Sequence, residues 1–449
     1  MKTLLISTYE LGHQPFNLAS PAAYLLQAGH EVRCLDLAVQ ELETALVRAA
    51  EFIAVSTPMH TALRLGVPLA QRVREINSKA HVCFYGLYAG LHAEYLLQHV
   101  ADFVIGGEYE EMMVELVNLL AQRASAARAF TQFPRQQFLL PTRHLLPSLE
   151  SYAHLLINGE RRLAGYVEAS RGCAHHCRHC PITPVYAGRV RLVQEQVVLD
   201  DIAQQAAMGA RHITFGDPDF LNAAKHSLRL VHELHARRPE MTFDFTAKIE
   251  HLLQYENLLA ELATLGCVFV VSAMECLNDG VLKILQKGHT SAEVERAFAI
   301  THAAGIPLRP SLMPFTPWST ITDFVALIDF VQERRLFAHF DPIQFSIRLL
   351  LPPKSALLDL PETQKHLCGF DKEKIVHPWK HPDPRMEELQ ARIAALVEEA
   401  NKRGESRRET FARIQAVAYE MAGKSVRAQA RLPIEPEFYP PRLTEDWFC

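Results

Sequence analysis

Short apolar runs alternate with amphipathic stretches along the first 120 residues, the pattern of a parallel sheet covered by helices. The runs at 3–7, 31–37, 52–56, 81–85 and 103–105 read as strands. Between them, 20–29 reads as a helix ended by Gly29, and 62–77 keeps its apolar positions near the helical period. The last strand enters Gly106-Gly107, and 109–120 follows as a helix with Glu108, Glu110 and Glu111 at its positive end. Five strands joined by crossovers predict a doubly wound, Rossmann-like α/β domain over residues 1–125, whose ligand would sit at the carboxyl ends of the strands.

Residues 126–160 lose this periodicity and carry Pro134, Pro141 and Pro147, so they read as a surface-packed linker. A second alternating series begins at Tyr166, with strands at 166–169, 212–215, 242–246, 268–272, 308–313 and 343–350 and helices such as 227–237 and 291–304. Six strand–helix units are too few for a closed eight-stranded barrel and predict a partial (β/α)6 barrel over 161–365. The remainder, 366–449, reads as a helical region, strongest over 384–430, with a proline-rich, extended tail from Pro433.

Composition narrows the function classes. Hydrophobic residues are 49% and charged residues 22% of the 449, a globular balance with no disordered bulk. A net charge of -5 argues against a polyanion binder, so no nucleic-acid partner is expected. The longest weakly polar stretch, 263–274, is well short of the ~20 residues that span a bilayer. With only Leu4, Leu5 and Ile6 as an opening apolar run, no secretory signal is expected either, and a cytoplasmic location without membrane contact follows. The 22 histidines mostly sit singly on amphipathic segments, where imidazole is usually a satisfied, half-buried group. Nine cysteines, three of them within eight residues, favour a metal or redox site over a disulfide framework.

Those three are Cys173, Cys177 and Cys180 in Cys173-Ala174-His175-His176-Cys177-Arg178-His179-Cys180, immediately after a strand. The C-x3-C-x2-C spacing lets one loop wrap soft thiolates around a metal centre. Zinc completed by a histidine and three unrelated buried cysteines are the alternatives. A structural zinc usually draws on two separated ligand pairs, whereas Cys267 and Cys276 are nine apart.

The motif and its place after the first barrel strand resemble the radical S-adenosylmethionine (SAM) superfamily. The resemblance implies that Cys173, Cys177 and Cys180 bind three irons of a 4Fe-4S cluster, leaving the fourth iron open to SAM. An electron from the cluster would then cleave the sulfonium to methionine and a 5'-deoxyadenosyl radical. His179 stands where the family usually has an aromatic residue beside the adenine. Gly216 and Asp217, in Phe215-Gly216-Asp217-Pro218-Asp219-Phe220, correspond to a motif beside the SAM amino group, although a turn capping the next helix fits equally. Ser272-Ala273-Met274-Glu275-Cys276, followed by Lys287-Gly288-His289-Thr290, looks like the family's fourth-strand segment, with Glu275 as the residue carried over. Arg309 and Ser311 could reach the SAM carboxylate or the substrate, or Arg309 could form an ordinary ion pair.

The first domain resembles the cobalamin-binding domain that precedes the barrel in one large subgroup. The matching pieces are 56–60, Gly86, and 101–110 with Gly106, Gly107 and Glu108, where glycines would let a flat macrocycle approach the backbone. The D-x-H-x-x-G loop that supplies a cobalt ligand is absent, and His13 and His60 are the candidates in its place. Cobalt without a protein ligand, or a domain that kept its fold and lost the cofactor, fits the same residues. Beyond the barrel only Cys368 and Cys449 remain, which leaves no auxiliary cluster. The resemblance implies an enzyme using a 4Fe-4S cluster, SAM and cobalamin, methylating an unactivated carbon of a small-molecule or peptide substrate, with flavodoxin or ferredoxin as electron donor. A radical cyclase or rearrangement enzyme without cobalamin is the alternative activity, and an iron-sulfur or zinc redox sensor the alternative class.

Overall fold

The computed structural model describes residues 1–133, 137–424 and 439–445. The first sheet is wholly parallel and contains Lys2–Ser7 (β1), Glu31–Asp36 (β2), Phe52–Ser56 (β3), His81–Tyr85 (β4), Phe103–Gly107 (β5) and Ala129–Gln132 (β6), in the order β2-β1-β3-β4-β5-β6. The chain reverses direction across the sheet between β1 and β3, which is the switch point where doubly wound folds open a crevice. Strands covered on both faces are continuous apolar runs. Leu4, Ile6, Ile53, Val55, Val82 and Phe84 enter one core, and Leu5, Phe52, Ala54, Cys83, Tyr85 and Ile105 the other.

The doubly wound sheet matches the sequence expectation, with two differences of physical interest. The first helix begins at Phe16, not residue 20, and passes through Pro21. Proline lacks the N–H that would bond to the carbonyl four residues back. Here that carbonyl, on Asn17, instead accepts the Tyr85 hydroxyl at 2.6 Å. The second difference is that the stretch read as a surface linker is built into the fold. It supplies β6 to the first sheet, and Arg143, within it, is completely buried. The Arg143 guanidinium donates to both Asp201 oxygens at 3.0 and 2.8 Å and to the Tyr166 carbonyl at 2.6 Å.

The second sheet forms the expected partial barrel. Its strands are His154–Ile157 (β7), Glu160–Val167 (β8), His212–Phe215 (β11), Thr242–Thr246 (β12), Cys267–Glu275 (β13), Leu308–Leu312 (β14) and Arg442–Leu443 (β15). They lie in the order β14-β13-β12-β11-β8-β7-β15, parallel from β8 to β14 and closed at one edge by antiparallel β7 and β15. Ser170–Gly172 (β9) and Val190–Leu192 (β10) form a separate antiparallel ribbon above β8. The sixth strand expected over 343–350 does not form. Pro342–Ser346 is a 3-10 turn, a single parallel bridge joins Phe315 to Arg348, and the Gln344 side chain accepts the Leu312 N–H at 2.9 Å in place of a ladder bond.

After the barrel, Pro384–Arg403 and Arg407–Met421 pack as a helix pair. Asp383 caps the first and left-handed Gly404 ends it. The helix expected to 430 stops at Met421, and the first part of the proline-rich tail, up to residue 438, together with Cys449, lies outside the described residues. No described helix is long and apolar enough to cross a membrane.

Candidate active site

The three clustered cysteines occupy the loop between β9 and β10, at the carboxyl ends of the parallel barrel strands. Gly172 opens it in the left-handed region (φ 75°), where a Cβ would lie 2.3 Å from the Arg189 carbonyl, so the ribbon closes only over glycine. The loop is pinned from outside. Arg178 N donates to Leu285 O at 3.0 Å and the Arg178 side chain to Ile284 O at 3.2 Å, while Ser355 donates to Arg178 O at 3.2 Å. Asn222 donates to the Cys173 sulfur at 3.6 Å. Burial holds the Cys173 thiol above its ordinary range and pushes Cys180 up to about 11, so these sulfurs become thiolates by binding a metal rather than by free ionisation. Cys267 and Cys276 instead donate to the Phe269 and Asn278 carbonyls. The donor set is thus three soft thiols on one loop, which fits a cluster with one iron left open.

Glu275 and His179 are brought together beside this loop, although they lie 96 positions apart in the chain. Glu275 ends β13 with φ 63°, a strained conformation for a side chain of its size that turns it out of the strand. Its Oε1 lies 3.2 Å from His179 Nε2 and accepts Lys287 Nζ at 2.9 Å. Burial alone would raise the Glu275 carboxyl, but Lys287 and then His179 hold it well below the usual range. Lys287, raised mainly by Glu275 against the opposing effect of burial, also feels Cys177 and Cys180, so a buried cation stands at the edge of the thiol cluster. Sequence reasoning carried over Glu275 but left Lys287 inside a quoted motif, where the adjacent glycine was the only signal.

Other expected residues are placed differently. Gly216 lies where a Cβ would fall 1.9 Å from the Tyr166 hydroxyl, so its glycine makes room for that ring. Asp217 is buried with its oxygens on Ser170 Oγ at 2.5 Å and Ala169 N at 2.9 Å, bracing the segment that leads into the cysteine loop; burial pushes its carboxyl up to about 7. Arg309, near the amino end of β14, pairs with Asp341 at 2.7 Å, and Arg407 shares that carboxylate. The ordinary ion pair is therefore the observed state. Ser311, half-buried, lies two residues further along the same strand.

At the carboxyl edge of the first sheet the expected residues contact protein. Gly86 lies against the Thr57 carbonyl, Gly106 against the Gly90 backbone, and Gly107 (φ 75°) against the Gln132 carbonyl. Glu108 is buried and accepts Arg171 Nη1 at 2.9 Å and the Tyr186 hydroxyl at 3.1 Å. Arg171, two residues before Cys173, also donates to Glu110 at 2.7 and 3.0 Å and to Glu168 at 2.6 Å, and lies over the rings of Phe16, Tyr109 and Phe138. One buried guanidinium thus locks the first domain to the cysteine loop. The His13 ring packs tilted against Tyr166 with 4.8 Å between centroids, and burial lowers its pKa to about 4. His60 Nε2 is 2.9 Å from the Lys374 carbonyl. His60 is thus occupied by protein, whereas among the described residues no hydrogen bond takes up a His13 nitrogen; buried Ser7, Ser56 and Glu10 give the β1–β3 switch point a polar lining.

The radical SAM superfamily model matches residues 167–331, and a B12 binding domain model matches residues 2–117. The chain thus carries a radical SAM domain preceded by a B12-binding domain. It is 23% identical over 267 residues to bacteriochlorophyllide d C-8(2)-methyltransferase of Chlorobaculum tepidum, covering 56% of this chain and 57% of that protein. It is 25% identical over 181 residues to the ribosomal protein uS12 methylthiotransferase RimO of Porphyromonas gingivalis, covering 38% and 41%. The chain therefore spans about half the length of these curated relatives. Among solved structures, the cobalamin-dependent SAM radical enzyme OxsB with aqua-cobalamin and SAM bound superposes with a TM-score of 0.69 at 13% identity, over 89% of this chain and 66% of that one. The radical SAM methyltransferase TsrM of Kitasatospora setae, with tryptophan and a SAM analog bound, gives 0.58 at 16% identity, over 74% and 71%. At such identities the likeness establishes the shared two-domain fold. The radical SAM domain implies a 4Fe-4S cluster and SAM, and the B12-binding domain implies cobalamin.

Proposed function

We propose that the protein is a radical SAM enzyme that methylates an unactivated carbon of a small organic or peptide substrate with the help of cobalamin. The observation that carries the reading is the three-thiol loop with the buried Glu275–Lys287 pair at its edge, held by Arg171 against a B12-type domain. Bound there, the cluster supplies an electron to the SAM sulfonium and cobalamin supplies a carrier for a methyl group. The chain's own groups do the positioning. Cys173, Cys177 and Cys180 hold the cluster, and the Lys287 ammonium has N–H donors left for the SAM carboxylate. Glu275 has lone pairs left for the SAM ammonium or ribose. The related methyltransferases support methyl transfer over other radical outcomes.

A second reading, radical cyclisation or rearrangement without cobalamin, is favoured by one observation. Val185, Tyr186 and Ile375 from the barrel side join the hydrophobic core of the first domain, at the edge where a corrin would lie. Anaerobic turnover separates the two. Dithionite-reduced, cluster-loaded protein should consume SAM, and addition of hydroxocobalamin should add S-adenosylhomocysteine to the 5'-deoxyadenosine and methionine formed. Retention of cobalamin on dialysis with no S-adenosylhomocysteine would sink the methyl-transfer reading, while failure to retain any cobalamin would favour the second.

A further inference from the structure

Three side chains from three elements converge behind the cysteine loop. His175 comes from the loop itself, Asp219 from the turn after β11, and His251 from the helix Ile249–Gln254 after β12. Asp219 Oδ2 lies 3.3 Å from His175 Nε2 and 2.8 Å from His251 Nδ1, and one ligand atom from each residue falls within 4.8 Å of the others. Yet neither ring nitrogen meets Asp219 in hydrogen-bond geometry, although both are buried. Misaligned close contacts are costly if the partners are only each other. They are what a shared ion produces, because each lone pair then points at the ion and not along the line between ligands. Ligands about 2.0–2.2 Å from one ion stand roughly 3–3.5 Å apart. The His175–Asp219 spacing of 3.3 Å falls in that range, and the His251–Asp219 spacing of 2.8 Å would open slightly around an ion.

We propose that His175, Asp219 and His251 form a second metal site, separate from the iron-sulfur cluster, for a borderline divalent transition-metal ion such as Zn2+. Charged and hydrogen-bonding groups surround the three side chains. Glu250 Oε2 lies 3.7 Å from His175 Nδ1, beyond hydrogen-bond reach but close enough to add negative charge beside the ring. Asp219 is oriented by the Leu221 N–H on Oδ1 at 3.0 Å and the Lys248 N–H on Oδ2 at 3.2 Å. Asp219 and Glu250 carry two negative charges against the single Lys248 ammonium, which bonds Glu250 at 3.0 Å, so the pocket has an anionic excess that a cation would neutralise. Imidazole and carboxylate donors suit zinc-class ions, and the neighbouring thiols suit the cluster, so the two sites differ in chemistry. The ion would tie the middle of the C-x3-C segment to the ends of β11 and β12.

The test is metal analysis of cluster-loaded protein equilibrated anaerobically with zinc and then dialysed against metal-free buffer. The expected result is about one zinc per chain in addition to about four irons, with His251→Ala and Asp219→Asn each losing the zinc while keeping iron and sulfide. Zinc absent from the unaltered protein, or retained in both variants, would overturn the proposal. Zinc-edge X-ray absorption on the unaltered protein reads the site without relying on the variants' folding. Nitrogen and oxygen at about 2.0–2.1 Å are expected, and sulfur at about 2.3 Å would assign the zinc to the cysteines and overturn it.

Discussion

The cysteine edge of the barrel and the carboxyl edge of the first sheet meet at the helix Thr183–Tyr186, but their polar groups are finished in different ways. On the cysteine side, Cys173 accepts one weak bond from Asn222, and Glu275 and Lys287 keep hydrogen-bonding capacity beyond their own pair. On the sheet side, Glu108 and Glu110 are bonded by Arg171, and the glycines are filled by neighbouring backbone. Unspent donors and acceptors mark where small ligands can bind at little reorganisation; spent ones mark an interface. The first edge is preorganised for its cofactors, while cobalamin at the second must use the polar β1–β3 crevice or displace protein contacts.

The largest effect that would break this contrast is at the cysteines. Cys177→Ala should drop iron from about four per chain to near none and SAM cleavage to background, read by metal analysis and by 5'-deoxyadenosine formation. On the opposite edge, Arg171→Met should remove the lock and leave buried carboxylates unpaired, costing about 3–5 kcal/mol, visible as a lowered thermal midpoint. If Arg171 were only decorating the surface of the site, stability would be unchanged. Gly106→Val should cost about 1–3 kcal/mol by forcing the helix Leu87–Leu91 off β5, because its Cβ would start 2.8 Å from the Gly90 Cα. A stable variant that merely failed to bind cobalamin would show that this glycine faces the corrin instead.

A smaller effect comes from the crevice. Burial pushes the Glu10 carboxyl up to about 8, so between its unfolded value near 4.5 and that value the folded protein holds a proton that the unfolded chain has released. Stability should therefore fall as pH rises through this window, by at most about 1.4 kcal/mol per pH unit from this group. Glu10→Gln should flatten that decline in pH-dependent chemical denaturation, and an unchanged slope would mean Glu10 is ionised in the folded state. The smallest effect is expected from Cys34→Ala, far from the loop in sequence and partly buried on the first sheet, which should leave iron and sulfide content unchanged.

Much of this contrast was legible in the sequence, and the missing parts share a cause. The strands 52–56, 81–85, 212–215 and 242–246 are apolar or alternating runs whose patterns depend only on burial of one or both faces, and the structure has them at those bounds. The C-x3-C-x2-C loop is likewise a local spacing. What stayed hidden depends on partners distant in the chain. The first helix reads as starting at residue 20 because the hydroxyl that satisfies the Asn17 carbonyl, left bare by Pro21, comes from Tyr85. The segment that carries Arg143 reads as a surface linker because the partner of that arginine, Asp201, lies 58 residues on. Glu108 looked like a ligand-binding residue because Arg171 belongs to the other domain. Residues 343–350 looked like a strand because their apolar content suits one, whereas Gln344 replaces the ladder with a side-chain bond.

The claim on which the rest depends is that three thiols leave one iron of the cluster open to SAM. Electron paramagnetic resonance of the dithionite-reduced, cluster-loaded protein, recorded with and without SAM, tests it most directly. The account predicts a reduced 4Fe-4S signal whose g values shift when SAM is added and stay put in the presence of methionine-free adenosine. A spectrum unchanged by SAM, or a protein that carries zinc and no sulfide in the cysteine loop, would contradict it.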